Sequence, residues 1–259
     1  MKTVVITGGT DGIGRGLTRI CLKRRDRIVV VGTEKAKAEP GAWFIRADLE
    51  LTDADRRLTN RLSAELDTVD VLVLGAQFQR SRHTETTDGL EPDFALTHLS
   101  RFLLSHGRAG LLGRAADPVV LNFGGTGRFG SPRWEVHQQR TQYHGLNAMI
   151  QAGILNTALA VGFADRPPAI RYVNDLPGTV ATSFAGDYDE AEAAQIVRLR
   201  APGGPVESAV KEIQPFLDSS SPGHTAAARE GGAVPLGPQA SSLADTRRPY
   251  DYTREVLAR

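Results

Sequence analysis

A glycine-rich turn near the start of the chain constrains the fold more than any other feature. A β-branched run at Thr3–Thr7 leads directly into Gly8, Gly12 and Gly14, and an amphipathic segment follows. The run predicts a buried strand, and the segment after the glycines predicts a helix over 14–24. A glycine turn between a strand and a helix lets backbone amides face a diphosphate. The sequence therefore predicts a dinucleotide-binding loop, in preference to a purely structural turn.

Strands and helices alternate through the first two-thirds of the chain. Further strands are predicted at 27–32, 42–47, 69–74, 118–123 and 170–175, with helices at 52–66, 92–107 and 145–163. We expect Thr52 to be the N-cap of the helix over 52–66. This alternation predicts an α/β fold with a Rossmann-type, doubly wound parallel sheet. The 259 residues suit a single domain over 1–259.

The region after the sixth predicted strand has a different composition. Helical pieces over 184–216 are broken by Pro202, Gly203, Gly204 and Pro205, and residues 219–245 are rich in Ser, Gly, Pro and Ala. Long loops are usually functional or disordered. We predict a C-terminal lid and loop region over 183–245, with a substrate lid at 183–215 and plain loop at 219–240.

Charge and composition exclude several classes of function. The chain has 31 Lys and Arg against 30 Asp and Glu, and no basic run long enough to follow a phosphate backbone, so we expect no nucleic-acid partner. No apolar stretch approaches the ~20 residues that a membrane span needs, and the apolar run near Lys2 is only a few residues long, so we expect neither a membrane partner nor a signal peptide. The one cysteine, Cys21, is expected to be a buried apolar residue and fits a cytoplasmic protein. No His, Cys, Asp and Glu cluster has metal-ligand spacing, so no metal is expected.

The predicted cofactor is NAD(P). Gly8 permits the tight turn, Gly12 lets the backbone approach the diphosphate, and Gly14 lets the helix pack on the sheet. Other expected contacts follow strand ends or belong to the loop: Thr10, Asp11, Ile13, Thr33, Asp48 and Leu49. Asp48 could accept a hydrogen bond from the adenine amino group or be only a surface carboxylate. Lys35 or Arg15 could meet a 2′-phosphate, although Asp11 would repel one, and the balance favours NADP(H).

The chain resembles the short-chain dehydrogenase/reductases, and their retinol-dehydrogenase-like branch in particular. The resemblance is carried by Thr7–Gly14, by Asp48-Leu49, by Leu74-Gly75-Ala76, by 177–182 and, more loosely, by 253–257. It implies cofactor contacts at Gly75, Ala76, Pro177, Gly178, Val180 and Thr182. It also implies a small-molecule substrate and a homodimer or homotetramer.

The resemblance implies an Asn-Ser-Tyr-Lys tetrad, which this chain lacks. The Asn position holds Thr97 and the Ser position holds Gly125. One alignment keeps Tyr143 and replaces the Lys by Asn147. The other, which we prefer for its distances along the chain, places Met149 and Gly153 at the Tyr and Lys positions. Neither alignment supplies a lysine.

Three nearby residues are the candidate catalytic groups. Tyr143 and His144 stand at the start of the long helix, and Thr126 could replace the missing serine hydroxyl. A tyrosine near its free pKa of ~10 stays protonated at neutral pH without a neighbouring cation. Such a tyrosine can donate a proton but is a poor base, which favours the reductive direction.

Three hypotheses follow for the function. The first is an atypical NAD(P)H-dependent oxidoreductase that reduces a small hydrophobic metabolite, with Tyr143 or His144 as the acid. The second is a non-redox isomerase, dehydratase or cyclase of specialised metabolism on the same fold. The third is a cofactor sensor or scaffold without turnover. We favour the first over the second, and both over the third.

Overall fold

A computed structural model gives the structure, which describes residues 1–106, 109–124, 143–164, 170–218, 228–229, 232–233 and 251–257. The strands are β1 (Thr3–Thr7), β2 (Arg27–Gly32), β3 (Trp43–Arg46), β4 (Val71–Leu74), β5 (Gln79–Arg80), β6 (Val119–Phe123), β7 (Arg171–Leu176), β8 (Gly186–Asp187), β9 (Ala228–Arg229) and β10 (Gly232–Ala233). The helices are α1 (Gly12–Lys23), α2 (Thr52–Glu65), α3 (Pro92–Phe94), α4 (Ser100–His106), α5 (Ala109–Leu112), α6 (Gly145–Ala164), α7 (Glu190–Arg200) and α8 (Val206–Ile213).

The main sheet has the order β10-β9-β7-β6-β4-β1-β2-β3. Its six central strands are parallel, and β1 lies between β2 and β4. Valine and isoleucine runs such as Val4–Ile6 and Ile28–Val31 are buried because helices cover both faces of the sheet. The predicted Rossmann-type fold is therefore confirmed, and strand order places the ends of β1 and β4 next to each other.

Two apolar layers hold the helices on the sheet. One face packs against α2 and α4 through residues such as Leu58, Leu62 and Leu104. The other face packs against α1 and α8, where Leu17 and Cys21 lie among the strand valines. Cys21 is buried as predicted, and burial raises the pKa of its thiol to about 11, so it is an inert apolar residue.

The start of α2 differs from the prediction. Thr52 is the first helical residue and Leu51 occupies the N-cap position. Asp88, from the loop before α3, accepts hydrogen bonds from Thr52 N over 2.9 Å and Thr52 Oγ1 over 2.8 Å. The prediction of Thr52 as N-cap was wrong because a carboxylate 36 residues away satisfies the helix end instead.

The single helix predicted over 92–107 is divided into three pieces. Between α3 and α4 lies one turn of π-helix, Ala95–Leu99. A π-helical turn changes which side chains face the sheet beyond it. The turn includes Thr97, whose Oγ1 donates to Asp93 O over 2.6 Å.

The region predicted as a lid has two parts with different environments. None of the residues of α7 is buried, as suits a surface helix over a site. Helix α8 instead buries Ala209, Val210 and Ile213 against α1 and the sheet. The lid prediction for 183–215 is therefore wrong for α8, because its apolar spacing makes it part of the core.

A second, two-stranded sheet ties the segment after β7 to the loop after β4. Strands β5 and β8 are parallel, with Gln79 opposite Gly186 and Arg80 opposite Asp187. Gln79 N donates to Ala185 O over 3.1 Å and Ser81 N donates to Asp187 O over 3.0 Å. The segment that leads into α7 is thereby held across the carboxyl ends of the central strands.

Candidate cofactor and active site

The glycine loop has the close backbone approaches that the sequence predicts. Gly8 has a φ of +69°, and a Cβ on it would lie 2.7 Å from Gly75 O. A Cβ on Gly14 would lie 2.3 Å from Gly8 O. Only glycine fits at both positions, so β1, β4 and the start of α1 meet at one point. This is the geometry of a turn that brings helix amides to the edge of the sheet.

The Asp11 carboxylate joins the glycine loop to the segment after β7 through two hydrogen bonds. Its Oδ1 accepts a hydrogen bond from Gly12 N over 2.7 Å, and Ser183 Oγ donates to its Oδ2. A Cβ on Gly12 would lie 2.9 Å from Thr182 Cγ2. The segment after β7 thus lies directly against the glycine loop, so Thr182 is brought to the predicted diphosphate site. A diphosphate at this helix start would share it with the Asp11 carboxylate.

The other predicted cofactor residues lie along the same edge of the sheet. Gly75 N and Ala76 N donate to Thr7 Oγ1 over 3.1 and 3.4 Å, which joins the ends of β1 and β4. Asp48 is exposed just after β3 and Leu49 beside it is buried. Thr10 and Ile13 belong to the glycine loop, and Thr33 is exposed at the end of β2.

Four more predicted residues follow β7. Gly178 has a φ of +71°, and Val180 is buried and pairs with Gly204 in an isolated bridge. Pro177 is half-buried, and Thr182 N donates to Val180 O over 2.7 Å. The turn after β7 is therefore a compact structure that holds Thr182 over Gly12. The structure brings all the predicted cofactor residues to the carboxyl ends of the strands.

Charged side chains surround the end of β2, where an adenosine ribose would lie. Glu39 accepts from Arg15 Nε and pairs with Arg19 over 3.0 Å. The hydrogen bond from Arg15 holds the pKa of the Glu39 carboxyl below its usual range. Lys37 pairs with Glu34 over 2.6 Å. Arg15, which the sequence offers as a 2′-phosphate ligand, is thus already bound to a carboxylate.

Tyr143, the first catalytic candidate, has its hydroxyl engaged. Its Oη donates to Glu91 Oε1 over 2.9 Å, and the His83 ring contacts it edge to face. Burial and then the charges of Glu91 and Asp93 raise the pKa of Tyr143 above its ordinary value. The hydroxyl proton therefore points at a carboxylate, and loss of that proton to form a tyrosinate is disfavoured.

Of the other two catalytic candidates, His144 and Thr126, the structure describes only His144. His144 is exposed, and its carbonyl oxygen accepts from Asn147 N and Ala148 N in the first turn of α6. Thr126 lies outside the described residues, as does Gly125. At the tetrad positions, Thr97 is buried, and Met149 and Gly153 lie one turn apart on α6. Helix α6 contains neither tyrosine nor lysine.

An acidic group around Tyr143 is a feature that the sequence prediction missed. Glu91 and Asp93 are 3% and 2% exposed, and Asp93 Oδ2 has no hydrogen-bond partner. Burial first, and then Glu91, raises the pKa of Asp93 well above its usual value. Arg80 lies nearby and pairs with Glu50 over 2.9 Å. The signal for Glu91 was the carboxylate directly before Pro92, a pattern typical of a helix N-cap.

Arg101 is a second residue that sequence reasoning missed. It is buried, and its guanidinium donates to Asn122 Oδ1, Phe123 O and Ala76 O. Asn122 Nδ2 donates in turn to Asn174 Oδ1 over 2.8 Å. This network joins the ends of β4, β6 and β7, and burial lowers the pKa of Arg101 to about 10. A charged residue within the apolar run 94–104 was the available signal.

Among the described residues, no group of His, Cys, Asp and Glu could hold a metal ion. The same part of the chain contains no helix that is long and apolar enough to cross a membrane.

Comparison with known proteins agrees with this geometry. Residues 2–95 match the family model described as short chain dehydrogenase. An uncharacterized oxidoreductase of Saccharomyces cerevisiae is 27% identical over 191 residues, 70% of this chain and 62% of that protein. Retinol dehydrogenase 12 of Mus musculus is 28% identical over 197 residues, 71% of this chain and 60% of that protein. The matches therefore span less than two-thirds of either relative.

Solved structures share the fold. A short-chain dehydrogenase from Streptomyces avermitilis has a TM-score of 0.65 at 20% identity, over 99% of this chain and 94% of that one. A 3-ketoacyl-(acyl-carrier-protein) reductase from Brucella melitensis, complexed with NADH, has a TM-score of 0.61 at 17% identity, over 90% and 98%. An alcohol dehydrogenase from Thermococcus sibiricus, complexed with 5-hydroxy-NADP, has a TM-score of 0.63 at 14% identity, over 88% and 95%. The N-terminal part of the chain is thus similar to the short chain dehydrogenases, and the fold of the chain is that of solved short-chain dehydrogenases.

Proposed function

We propose that the protein is an atypical NAD(P)(H)-dependent oxidoreductase that acts on a small apolar alcohol or carbonyl compound. The observation that carries the proposal is the glycine loop, where Gly8 and Gly14 have room for no side chain and Thr182 lies against Gly12. These residues fit a dinucleotide, because they place helix amides and the turn after β7 on two sides of one site. The nicotinamide, when bound, exchanges a hydride with the substrate carbon.

The residues of this chain have distinct roles in that reaction. The amides at the start of α1 bind the diphosphate, and Asp48 is placed to orient the adenine. Pro177, Gly178, Val180 and Thr182 orient the nicotinamide end. Tyr143 exchanges the proton of the substrate oxygen, because it is the half-buried hydroxyl beside the start of α6. His144 and Thr126 remain predicted contributors.

We propose NADP(H) as the preferred cofactor. Four cations, Arg15, Arg19, Lys35 and Lys37, lie on α1 and the segment after β2, against the three carboxylates of Asp11, Glu34 and Glu39. This local excess of positive charge favours a 2′-phosphate. Relatives of the fold were solved with NADH and with 5-hydroxy-NADP, so a direct comparison is needed.

A second candidate function is non-redox chemistry in the same pocket, such as isomerisation or dehydration. It is favoured by the composition of α6, where Met149 and Gly153 stand at the positions of the family's tyrosine and lysine. We also propose that the chain folds as one domain over 1–259 and forms a homo-oligomer, as the family resemblance implies.

Two measurements test the proposed function. NADPH and NADH are titrated against the protein and their fluorescence is followed, and we expect NADPH to bind more tightly. All-trans-retinal and all-trans-retinol are then supplied, because relatives are named retinol dehydrogenases, and the retinoids and the oxidised and reduced cofactor are separated by chromatography and quantified. A protein that binds neither nucleotide would refute the proposal. Conversion of a substrate without a matching change in the amount of reduced cofactor would support the non-redox alternative.

A further inference from the structure

Tyr143 and Glu91 form an ordered pair with an inner and an outer member. Tyr143 Oη donates to Glu91 Oε1 over 2.9 Å. Glu91 is 3% exposed, whereas Tyr143 is only half-buried. The carboxylate is therefore the inner member, and the phenol is the one that a substrate can reach.

Glu91 is held in place by the start of α3. Its Oε1 accepts from Asp93 N over 3.0 Å and its Oε2 accepts from Phe94 N over 2.7 Å. Backbone amides at a helix start stabilise a negative charge. Oε1 thus accepts from both a fixed amide and the Tyr143 hydroxyl, so the carboxylate can receive the phenolic proton without moving.

The charges around the pair decide which protonation states it can adopt. Burial first, and then Glu91, raise the pKa of Asp93, on the same helix start, well above its usual value. Glu192 on α7 adds negative charge, and Arg80 on β5 is paired with Glu50. Burial first, and then the charges of Glu91 and Asp93, raise the pKa of Tyr143 and disfavour a free tyrosinate, whereas Arg80 acts in the opposite direction. The other titratable group against Tyr143 in the described part of the chain is His83, whose ring contacts it edge to face. Tyr143 can therefore give its proton to Glu91 only when it receives a proton from the substrate at the same time.

We propose that Glu91 acts through Tyr143 as the terminal proton acceptor and donor of the active site. This inference rests on the proposed function, in which Tyr143 exchanges the substrate proton. When a substrate hydroxyl is oxidised, its O–H bond breaks and its proton passes to Tyr143 Oη, while the Tyr143 proton passes to Glu91 Oε1. The C–H bond of the substrate carbon would break in the same reaction, and its hydrogen would pass with both bonding electrons, as a hydride, to an oxidised nicotinamide cofactor. The substrate is left as a carbonyl compound, and Glu91 later releases its proton to water.

The reverse reaction needs the opposite state of the same carboxyl. Reduction begins with Glu91 protonated, so that Glu91 donates to Tyr143 and the Tyr143 proton is free for the substrate oxygen. Oxidation begins with Glu91 ionised, which is the hydrogen-bond direction in the structure. Oxidation should therefore rise with pH and reduction should fall with pH, about one shared midpoint. The protonation state of Glu91, and with it the pH, then sets whether Tyr143 supports oxidation or reduction.

The kinetic test uses the full chain with all-trans-retinol and all-trans-retinal between about pH 5 and 9. Wild type should give mirrored profiles for kcat in the two directions. Glu91→Gln and Tyr143→Phe should each lower kcat by about 10²–10⁴-fold, the usual contribution of a positioned acid or base, and Glu91→Gln should remove the pH dependence. Tyr188→Phe is the matched control: Tyr188 is also half-buried, but its hydroxyl donates to Phe184 O over 2.8 Å.

A spectroscopic test does not depend on turnover. The protein is labelled with ¹³C at glutamate side-chain carboxyls, and the Glu91 signal is assigned as the one that Glu91→Gln removes. We expect this signal to titrate with a midpoint that matches the kinetic midpoint, and to be displaced in Tyr143→Phe but not in Tyr188→Phe. Tyr143→Phe leaves the helix cap of Glu91 untouched, so it keeps the test valid if Glu91→Gln lowers stability.

The outcomes separate the inference from the proposed function. A Glu91 signal that is unaffected by Tyr143→Phe would overturn the inference. A pH profile of Glu91→Gln that equals that of wild type would also overturn the inference. If Tyr143→Phe were inactive in that case, the proposed function would still stand. Full activity of Tyr143→Phe would remove the role of Tyr143 and both claims with it.

Discussion

Asp55 is a buried carboxyl whose replacement should make the protein more stable at neutral pH. It lies in the first turns of α2, is 1% exposed, and its Oδ1 has no hydrogen-bond partner. Burial raises its pKa from 3.8 to about 8, although a hydrogen bond from Ser100 lowers it. The Asp55→Asn variant keeps the shape and the Ser100 contact but cannot ionise.

The sign and size of the effect follow from proton linkage. Below pH 3.8 both the folded and the unfolded chain hold the Asp55 proton, so this group adds no pH dependence. Between 3.8 and about 8 only the folded state holds it, so the free energy of unfolding falls as pH rises. One pKa unit corresponds to about 1.4 kcal/mol, which gives an upper limit of about 5 kcal/mol by pH 8. We expect Asp55→Asn to exceed wild type by about 2–5 kcal/mol at pH 8 and by much less at pH 5.

The assay is urea unfolding followed by circular dichroism at pH 5, 6, 7 and 8, with the difference in unfolding free energy taken at each pH. Asp53→Asn is the matched control, because Asp53 lies in the same turn of α2 with its side chain 71% exposed. The difference in unfolding free energy between Asp53→Asn and wild type should be the same at each pH. A difference between Asp55→Asn and wild type that is constant from pH 5 to 8 would refute the reasoning.

Three other changes test the fold and the cofactor site. Gly14→Ala places a Cβ 2.3 Å from a backbone oxygen, so it should lower the free energy of unfolding by about 1–3 kcal/mol and weaken NADPH binding. Gly204→Ala is the control, because its Cβ would enter open space, and it should change neither quantity. Calorimetry measures the stability and fluorescence titration measures the binding. Asp11→Asn removes a negative charge beside the diphosphate. A repulsion of about 1 kcal/mol between the two predicts that NADPH binding tightens by about 3–5-fold, and weaker binding would contradict this prediction. Asp88→Ala removes the cap on Thr52 and should lower the urea midpoint by the equivalent of about 1 kcal/mol; an unchanged midpoint would count against the cap.

The sequence predicted the sheet well because its signals are local. The strands at Thr3–Thr7 and Arg27–Gly32 were predicted with their observed bounds, since each is an unbroken β-branched run. Helix α1 begins two residues before the predicted start, because Asp11 caps it at Gly12. The cofactor loop was predictable for the same reason: its glycines stand between a recognisable strand and helix.

What the sequence did not predict depends on contacts between distant residues. The hydrogen bond from Tyr143 to Glu91 joins residues 52 apart, and that from Arg101 to Asn122 joins residues 21 apart. No periodicity encodes such a pair, because the partners meet only after the strands have set the positions of the helices. Helix α8 is an exception: the spacing of Val206, Val210 and Ile213 is a local signal of a buried face, and the lid prediction did not use it.

The small β5–β8 sheet has a mechanical consequence for the protein. It joins the connection after β4 to the connection after β7, two strands of the same half of the main sheet that are separated by β6. Ser81 adds a side-chain tie, since its hydroxyl contacts both Asp189 N and Glu192 Oε2. A displacement of α7 away from the site must therefore pull on the chain that leads to Glu91. The position of α7 and the position of Glu91, to which Tyr143 donates, are thus coupled through a single short ribbon.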